Sequence, residues 1–132
     1  MISWLSKKQS GVALTTAEAE YIAACSASGE AVWLRKFLTG LFDLKLDVTF
    51  IWCDNQSCIK ISWNDVFHDR SKHIEIKYHY IYDMVEKGAL SLQYVSTDEK
   101  TADVLTKPLS RAKFEYFMYK LGVVCKGIPS ER

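Results

Sequence analysis

The chain has 132 residues, a length typical of one domain, and 48% of them are hydrophobic, which is enough for a buried core. Its 17 basic and 16 acidic residues give a net charge of +1, which excludes nucleic-acid binding by bulk charge and leaves only local patches. The four cysteines lack the pairing and density of a disulfide scaffold, and no apolar stretch approaches the roughly 20 residues of a membrane helix. We therefore expect an intracellular protein, cytoplasmic or nuclear, with no membrane contact.

The first half of the chain alternates between strand patterns and helical patterns. A β-prone stretch over residues 2–6 precedes a polar loop and a helical pattern over residues 15–38, which opens with Thr15 and Glu18 at capping-box spacing. Residues 48–53 are a nearly continuous apolar and β-branched run, which predicts a strand covered on both faces. A short helix should follow this strand.

The second half continues the alternation. Gly88 closes a long helical pattern, and a second capping box, formed by Ser96 and Glu99, introduces a helix after the next strand. The predicted elements are a helix over 71–88, a strand over 89–95, a helix over 97–107 and a helix over 111–122. This order predicts an α/β fold, with one domain over residues 1–125 and a polar C-terminal tail over residues 126–132.

Glu20 is the carboxylate on the small-residue face of the first helix. At about 100° per residue, a stripe of alanines and leucines that includes Ala24, Ala27 and Leu34 lies within about 60° of it, so this face should pack against the sheet. A carboxylate that points into a protein is costly unless it is paired, hydrogen-bonded or bound to a metal. Capping explains Glu18 and leaves Glu20 unexplained.

Two aspartates could accompany Glu20. Asp54 directly follows the strand over residues 48–53, where α/β proteins bind ligands, although helix capping explains it equally well. Asp103 lies inside a predicted helix, and a pair with Lys107 at i+4 could also explain it. Together the three carboxylates suit Mg²⁺, and two such ions about 4 Å apart can cleave a phosphodiester. The residues alone thus predict a candidate magnesium nuclease.

Four separated segments resemble, in the same order, the ribonuclease H region at the carboxyl end of copia-type retrotransposon Pol polyproteins. The segments are "SWLSKKQSGVALTTAEAEYIAA", "CDNQSCIKI", "VFHDRSKHIEIKYHYI" and "YVSTDEKTADVLTKPL". The resemblance implies a ribonuclease H-like fold, with a mixed sheet flanked by helices, and magnesium-dependent cleavage of the RNA strand of RNA·DNA hybrids during reverse transcription. It also carries three of the family's metal-binding, catalytic carboxylates onto Glu20, Asp54 and Asp103.

The resemblance leaves one family carboxylate without a match. The family's first two strands, the first of which carries an aspartate that contacts both metals, should precede residues 2–6. We therefore expect a fold that is N-terminally truncated and lacks these two strands, with an incomplete two-magnesium site and impaired catalysis. The alternative is a non-catalytic remnant that binds nucleic acid or a protein partner.

The resemblance also implies contacts with the substrate. Residues beside the catalytic carboxylates touch the hybrid in related enzymes, which indicates Thr15, Thr16, Asn55 and Gln56 as nucleic-acid-binding. Polar side chains at helix starts are also common caps, so both interpretations stay open. The implied partners are the RNA·DNA hybrid and the reverse transcriptase portion of the same polyprotein.

A basic segment, "HDRSKHIEIKYH", is a further candidate for binding nucleic acid. Its Arg70, Lys72 and His73 could contact phosphates. A solvated helix face explains the same pattern equally well.

Thiols and aromatic rings are predicted to be structural. Cys53 and Cys58 are small residues within apolar patterns, as is typical of a core. No pattern specifically supports stacking of bases on the aromatic rings, which should pack in the core and between helices. The rings in question are those of Trp33, Phe37, Trp52, Trp63, Phe114, Tyr116, Phe117 and Tyr119.

Overall fold

The computed structural model describes residues 4–63 and 72–123, with side chains described for residues 4–63 and 79–123. Its elements are α1 (Thr16–Phe42), β1 (Thr49–Cys53), α2 (Gln56–Trp63), α3 (Lys72–Glu86), β2 (Leu90–Tyr94), a 3₁₀ helix (Thr101–Leu105) and α4 (Arg111–Lys120). The described residues between 11 and 98 form one compact unit, the sheet unit, while residues 4–10 and 99–123 form another, the terminal unit. The α/β class is confirmed.

α1 begins where the capping box predicts. The Thr15 hydroxyl accepts a hydrogen bond from the Glu18 N–H at 3.1 Å. The Glu18 carboxylate accepts from the Leu14 N–H at 2.7 Å, one residue before the predicted partner. The helix ends at Asp43, whose left-handed backbone lets its N–H donate to the Thr39 carbonyl. Although α1 has 27 residues, no helix in the described part of the chain is long and apolar enough to cross a membrane.

β1 and β2 form a parallel two-stranded sheet, in which Thr49 pairs with Leu90 and Cys53 pairs with Tyr94. Parallel strands need a crossover connection, which α2 and α3 provide. One face of the sheet packs against α1, α2 and α3. The buried cluster between them contains Tyr21, Ala24, Cys25, Cys53, Cys58, Ile81 and Leu92. This layer of helices fixes the carboxyl end of β1 beside the first turns of α1 and α2.

The other face of β1 is open. Phe50 and Trp52 are 55% and 59% exposed, so the prediction of a strand covered on both faces is wrong. A continuous apolar run cannot distinguish such a strand from one that turns aromatic rings outward. Of the eight aromatic residues predicted to be core, Phe117 alone is buried. All four tryptophans are more than half exposed.

Three other predicted features differ from the structure. Residues 4–6 of the first predicted strand have no regular secondary structure, since no described residue forms a ladder with them. The described sheet is parallel, whereas the resemblance implies a mixed one. The helix predicted over residues 97–107 is a short 3₁₀ helix, because threonine and aspartate favour turns and Pro108 follows closely.

Glycines end two helices with the same backbone pattern. At the end of α3, Gly88 has a positive φ of 66°, its N–H donates to the Val85 carbonyl, and the Ala89 N–H donates to the Met84 carbonyl. Gly122 ends α4 in the same way in the terminal unit, where Phe117 is fully buried. The predicted closure of α3 at Gly88 is confirmed. The predicted tail over residues 126–132 lies outside the described residues.

A carboxylate and thiol cluster at the carboxyl end of β1

Two of the predicted metal ligands meet at the carboxyl end of β1. Glu20 lies in the second turn of α1, and Asp54 directly follows β1. A carboxylate oxygen of each and the Sγ of Cys53 all lie within 4.8 Å of one another. Cys53 is buried, whereas both carboxylates are half-buried. We call these three residues the β1-end cluster.

The helix cap beside the cluster is Asn55. Its Oδ1 accepts a hydrogen bond from the Cys58 N–H at 2.9 Å, at the start of α2. Asn55 thus forms the helix cap that the sequence offered as the alternative explanation of Asp54. The Asn55 N–H also donates to the Cys53 Sγ at 3.4 Å, so the turn between β1 and α2 fixes the position of the sulfur.

α1 presents Glu20 from the margin of its buried face. The buried residues of α1 are Tyr21, Ala24, Cys25 and Ser28, whose mean direction lies about 90° around the helix from Glu20. Of the predicted stripe, Ala24 is buried and Leu34 is half-buried, whereas Ala23 and Ala27 are exposed, so the prediction that this whole face packs against the sheet holds only in part. The centre of the buried face lies toward Tyr21 and Ser28, with Ala24 and Cys25 on either side. As a result, the Glu20 carboxylate is accessible to solvent and to a dissolved cation.

The neighbouring thiols differ in their surroundings. None of the described cysteines, Cys25, Cys53 and Cys58, forms a disulfide, and all three are buried. The pKa of the Cys58 thiol is raised well above its usual range, chiefly by its hydrogen bond with Cys53 and then by burial and nearby negative groups that include Glu20. Cys58 is therefore a neutral core thiol. Cys53 is the thiol that lies within reach of both carboxylates.

Asp103 belongs to the terminal unit and has a different environment. It is 5% exposed, and its Oδ2 accepts a hydrogen bond from the Lys107 Nζ at 2.9 Å. The i+4 pair that the sequence offered as its alternative explanation is therefore present. The assignment of Asp103 as a metal ligand stays a prediction.

The predicted nucleic-acid contacts at the helix starts fall into two groups. Thr15 and Asn55 use their side chains to cap α1 and α2. Thr16 and Gln56 are the first residues of these helices, and both are exposed. These two keep their polar groups toward solvent and are the better placed to contact a ligand.

The basic segment lies largely beyond what the structure describes. Arg70 falls outside the described residues. Lys72 and His73 lie in the first turn of α3, but their side chains are outside the described part. Their predicted contacts with phosphate stay predictions.

Sequence reasoning missed the contacts of two residues that shape β1. The prediction that Cys53 and Cys58 are core residues is confirmed, but the sequence did not show that the Cys53 sulfur lies beside the Glu20 and Asp54 carboxylates.

Sequence reasoning also missed Arg35, whose guanidinium donates to the carbonyls of Leu46 and Asp47 and, at 2.7 Å, to the Thr49 hydroxyl. Arg35 lies about 60° from Glu20 on the helical wheel, toward the buried face. An arginine in that position needs hydrogen-bond acceptors, and this could have indicated its contacts near β1.

The fold and the cluster together define a class. This is an α/β protein that presents a half-buried carboxylate pair at the carboxyl end of a parallel strand, which is where such proteins bind ligands.

The sequence is similar to that of three known polyproteins. The chain is 45% identical over 123 residues to the retrovirus-related Pol polyprotein from transposon RE2 of Arabidopsis thaliana, and 46% identical over 122 residues to that from transposon RE1. It is 47% identical over 114 residues to the retrovirus-related Pol polyprotein from transposon TNT 1-94 of Nicotiana tabacum. These alignments cover 93%, 92% and 86% of the chain, which spans 8% of the length of each relative. No family model and no solved structure matches the chain. The similarity supports an origin in a retrotransposon Pol polyprotein.

Proposed function

We propose that this chain is the ribonuclease H portion of a copia-type retrotransposon Pol polyprotein and takes part in Mg²⁺-dependent hydrolysis of the RNA strand of RNA·DNA hybrids. The observation that carries the proposal is the approach of Glu20 and Asp54 to within 4.8 Å. The similarity to Pol polyproteins supports the origin, and the four ribonuclease H-like segments support the activity within it.

The donor set at the β1-end cluster fits magnesium through its carboxylates. Glu20 and Asp54 offer the oxygen ligands that Mg²⁺ prefers, and their half-buried positions leave room for the waters and phosphate oxygens that complete its shell. Bound Mg²⁺ would activate a water and stabilise the leaving oxygen of the phosphodiester. Asp103 is proposed as the third carboxylate of the site, from the motif that it shares with the family.

The surrounding residues would hold and position these groups. Asp54 is fixed at the end of β1 by the cap that Asn55 forms on α2, and Glu20 is fixed by the second turn of α1. Thr16 and Gln56 are proposed to contact the sugar-phosphate backbone of the hybrid, which is recognised by shape and by its 2′-hydroxyls. The proposed partners are the hybrid and the reverse transcriptase portion of the polyprotein, inside the cell.

A cleavage assay tests the proposal. The chain and a longer stretch of polyprotein that includes the sequence upstream of it are incubated with Mg²⁺ and a hybrid labelled on its RNA strand. We expect cleavage by the longer protein, loss of cleavage in its Glu20→Gln and Asp54→Asn variants, and activity in Glu18→Gln. Glu18 is the matched control because it lies two residues from Glu20 and serves the helix cap.

Two outcomes would contradict the proposal. If the Glu20→Gln variant still cleaves the hybrid, Glu20 is not a catalytic metal ligand. Binding of the hybrid without cleavage by either protein would support the non-catalytic alternative instead.

A further inference from the structure

The β1-end cluster contains a donor that magnesium does not use. The Cys53 Sγ lies within 4.8 Å of the Glu20 and Asp54 oxygens, on the buried side of the pair. Mg²⁺ takes oxygen ligands almost exclusively, whereas thiolates select softer ions such as Zn²⁺. The sulfur therefore gives the cluster a chemistry that carboxylates alone would not have.

We propose that Cys53, Glu20 and Asp54 form a mixed thiolate and carboxylate site for a thiophilic divalent cation of the Zn²⁺ class. Three protein ligands leave the fourth tetrahedral position open to water, as in catalytic zinc sites. Because Zn²⁺ and Mg²⁺ would share both carboxylates, each excludes the other. This competition rests on the proposed function, whereas binding of the thiophilic ion does not.

The local geometry supports a sulfur ligand at this position. The Asn55 N–H donates to the Cys53 Sγ at 3.4 Å, and the thiol donates to the Asn55 carbonyl at 3.6 Å. The first bond would stabilise a thiolate, and the second is given up when the thiol loses its proton to solvent on binding a metal. Donors around one tetrahedral zinc ion lie about 3.6 Å apart, given metal-ligand distances of about 2.0–2.3 Å. Donors that lie within 4.8 Å need only a closure of about 1 Å, which the flexible Glu20 side chain can provide.

The charges around the cluster also suit a cation. Glu20 and Asp54 contribute two negative charges at the entrance, and the thiol loses its proton to solvent when the metal binds. The resulting set of two carboxylates and one thiolate carries more negative charge than the ion neutralises.

Cobalt titration tests the proposal on the full chain, since Co²⁺ replaces Zn²⁺ and shows a thiolate-to-metal charge-transfer absorption band. We expect the band in the native protein, its loss when Zn²⁺ is added, and its weakening by Mg²⁺ only at concentrations far above that of Co²⁺. Cys53→Ser should abolish the band, and Cys58→Ser should retain it. Cys58 is the matched control, because it is a buried thiol that is hydrogen-bonded to Cys53 but is not one of the three donors of the cluster, so a band that survives Cys58→Ser assigns the sulfur ligand to Cys53.

The carboxylates provide an independent readout. Glu20→Gln and Asp54→Asn should keep the sulfur ligand and hence the band, but should weaken the affinity for Co²⁺ and Zn²⁺ at least about tenfold. Circular dichroism shows whether Cys53→Ser is folded, and if it is not, the two carboxylate variants decide the question. Unchanged affinity in both would overturn the proposal, as would a native protein without the band or a band that survives Cys53→Ser.

These results separate the two proposals. A Cys53-dependent band without magnesium-dependent cleavage would leave the thiophilic site standing and remove the proposed function. Cleavage that depends on Glu20, without any charge-transfer band, would support the proposed function and overturn the thiophilic site.

Discussion

The two ends of β1 carry opposite charges that serve different purposes. At the amino end, the Arg35 guanidinium donates to backbone carbonyls and to the Thr49 hydroxyl, so a cation satisfies the acceptors of the turn before the strand. At the carboxyl end, the carboxylates of Glu20 and Asp54 lie close together beside the Cys53 thiol. A divalent cation bound there would reduce the repulsion between the two carboxylates. One short strand is thus held by an arginine at its start and followed by a carboxylate pair, the proposed metal site, at its end.

The largest effect should come from the carboxyl end. Glu20→Gln removes a ligand charge, so magnesium-dependent hydrolysis of the hybrid by the longer polyprotein should fall at least about a hundredfold, or about 2.7 kcal/mol. Initial cleavage rates at saturating Mg²⁺ measure the effect. Glu18→Gln should stay within about threefold of the native rate, and equal losses in both variants would mean that the position of Glu20 on α1 is not special.

The amino end should affect stability alone. Arg35→Met leaves the Leu46 and Asp47 carbonyls without their charged donor, which should lower the free energy of unfolding by about 2 kcal/mol. Urea unfolding followed by circular dichroism measures the change, with the exposed neighbour Lys36→Met as the control, expected within about 0.5 kcal/mol of native. If the two variants had the same midpoint, the Arg35 contacts would contribute nothing.

Metal should stabilise the carboxyl end in a way that depends on its carboxylates. At a Mg²⁺ concentration ten times the dissociation constant, binding should add about 1.4 kcal/mol to the free energy of unfolding of the native chain. Thermal unfolding with and without Mg²⁺ measures this gain. Asp54→Asn should lose most of it, while Arg35→Met should retain it despite its lower baseline. A gain that persists in Asp54→Asn would place the ion elsewhere.

The smallest effect concerns the start of α1, close to Glu20. Thr15→Ala removes the cap bond to the Glu18 N–H and should cost about 1 kcal/mol, whereas Thr16→Ala should be close to neutral for stability. Hybrid affinity should show the opposite order, with Thr16→Ala the weaker binder, because Thr16 is exposed and Thr15 is engaged in the cap. Equal affinities would remove Thr16 from the proposed contacts.

Features that depend on neighbours along the chain could be predicted from the sequence. The Thr15 cap, both strands of the sheet and the closure at Gly88 follow from local chemistry, and all are present. The choice of Glu20 over Glu18 could also be made, because capping accounts for only one of them.

Features that depend on what lies across the fold could not be predicted. The buried face of α1 consists of Tyr21, Ala24, Cys25 and Ser28, and its position is set by the strands and helices that pack against it, which lie far from α1 in the sequence. Cys53 sits in an apolar run, so its pattern is that of any core residue. Only the pairing of β1 with β2 and the approach of α1 reveal the carboxylates beside its sulfur.

The exposure of all four indole rings has a spectroscopic consequence. Trp4, Trp33, Trp52 and Trp63 are each between 57% and 63% exposed, so they are already largely hydrated in the folded protein. Unfolding should therefore shift their emission maximum very little. Trp52, whose neighbour in the chain is Cys53, should instead report on the site, since a paramagnetic ion such as Co²⁺ bound there would quench its fluorescence.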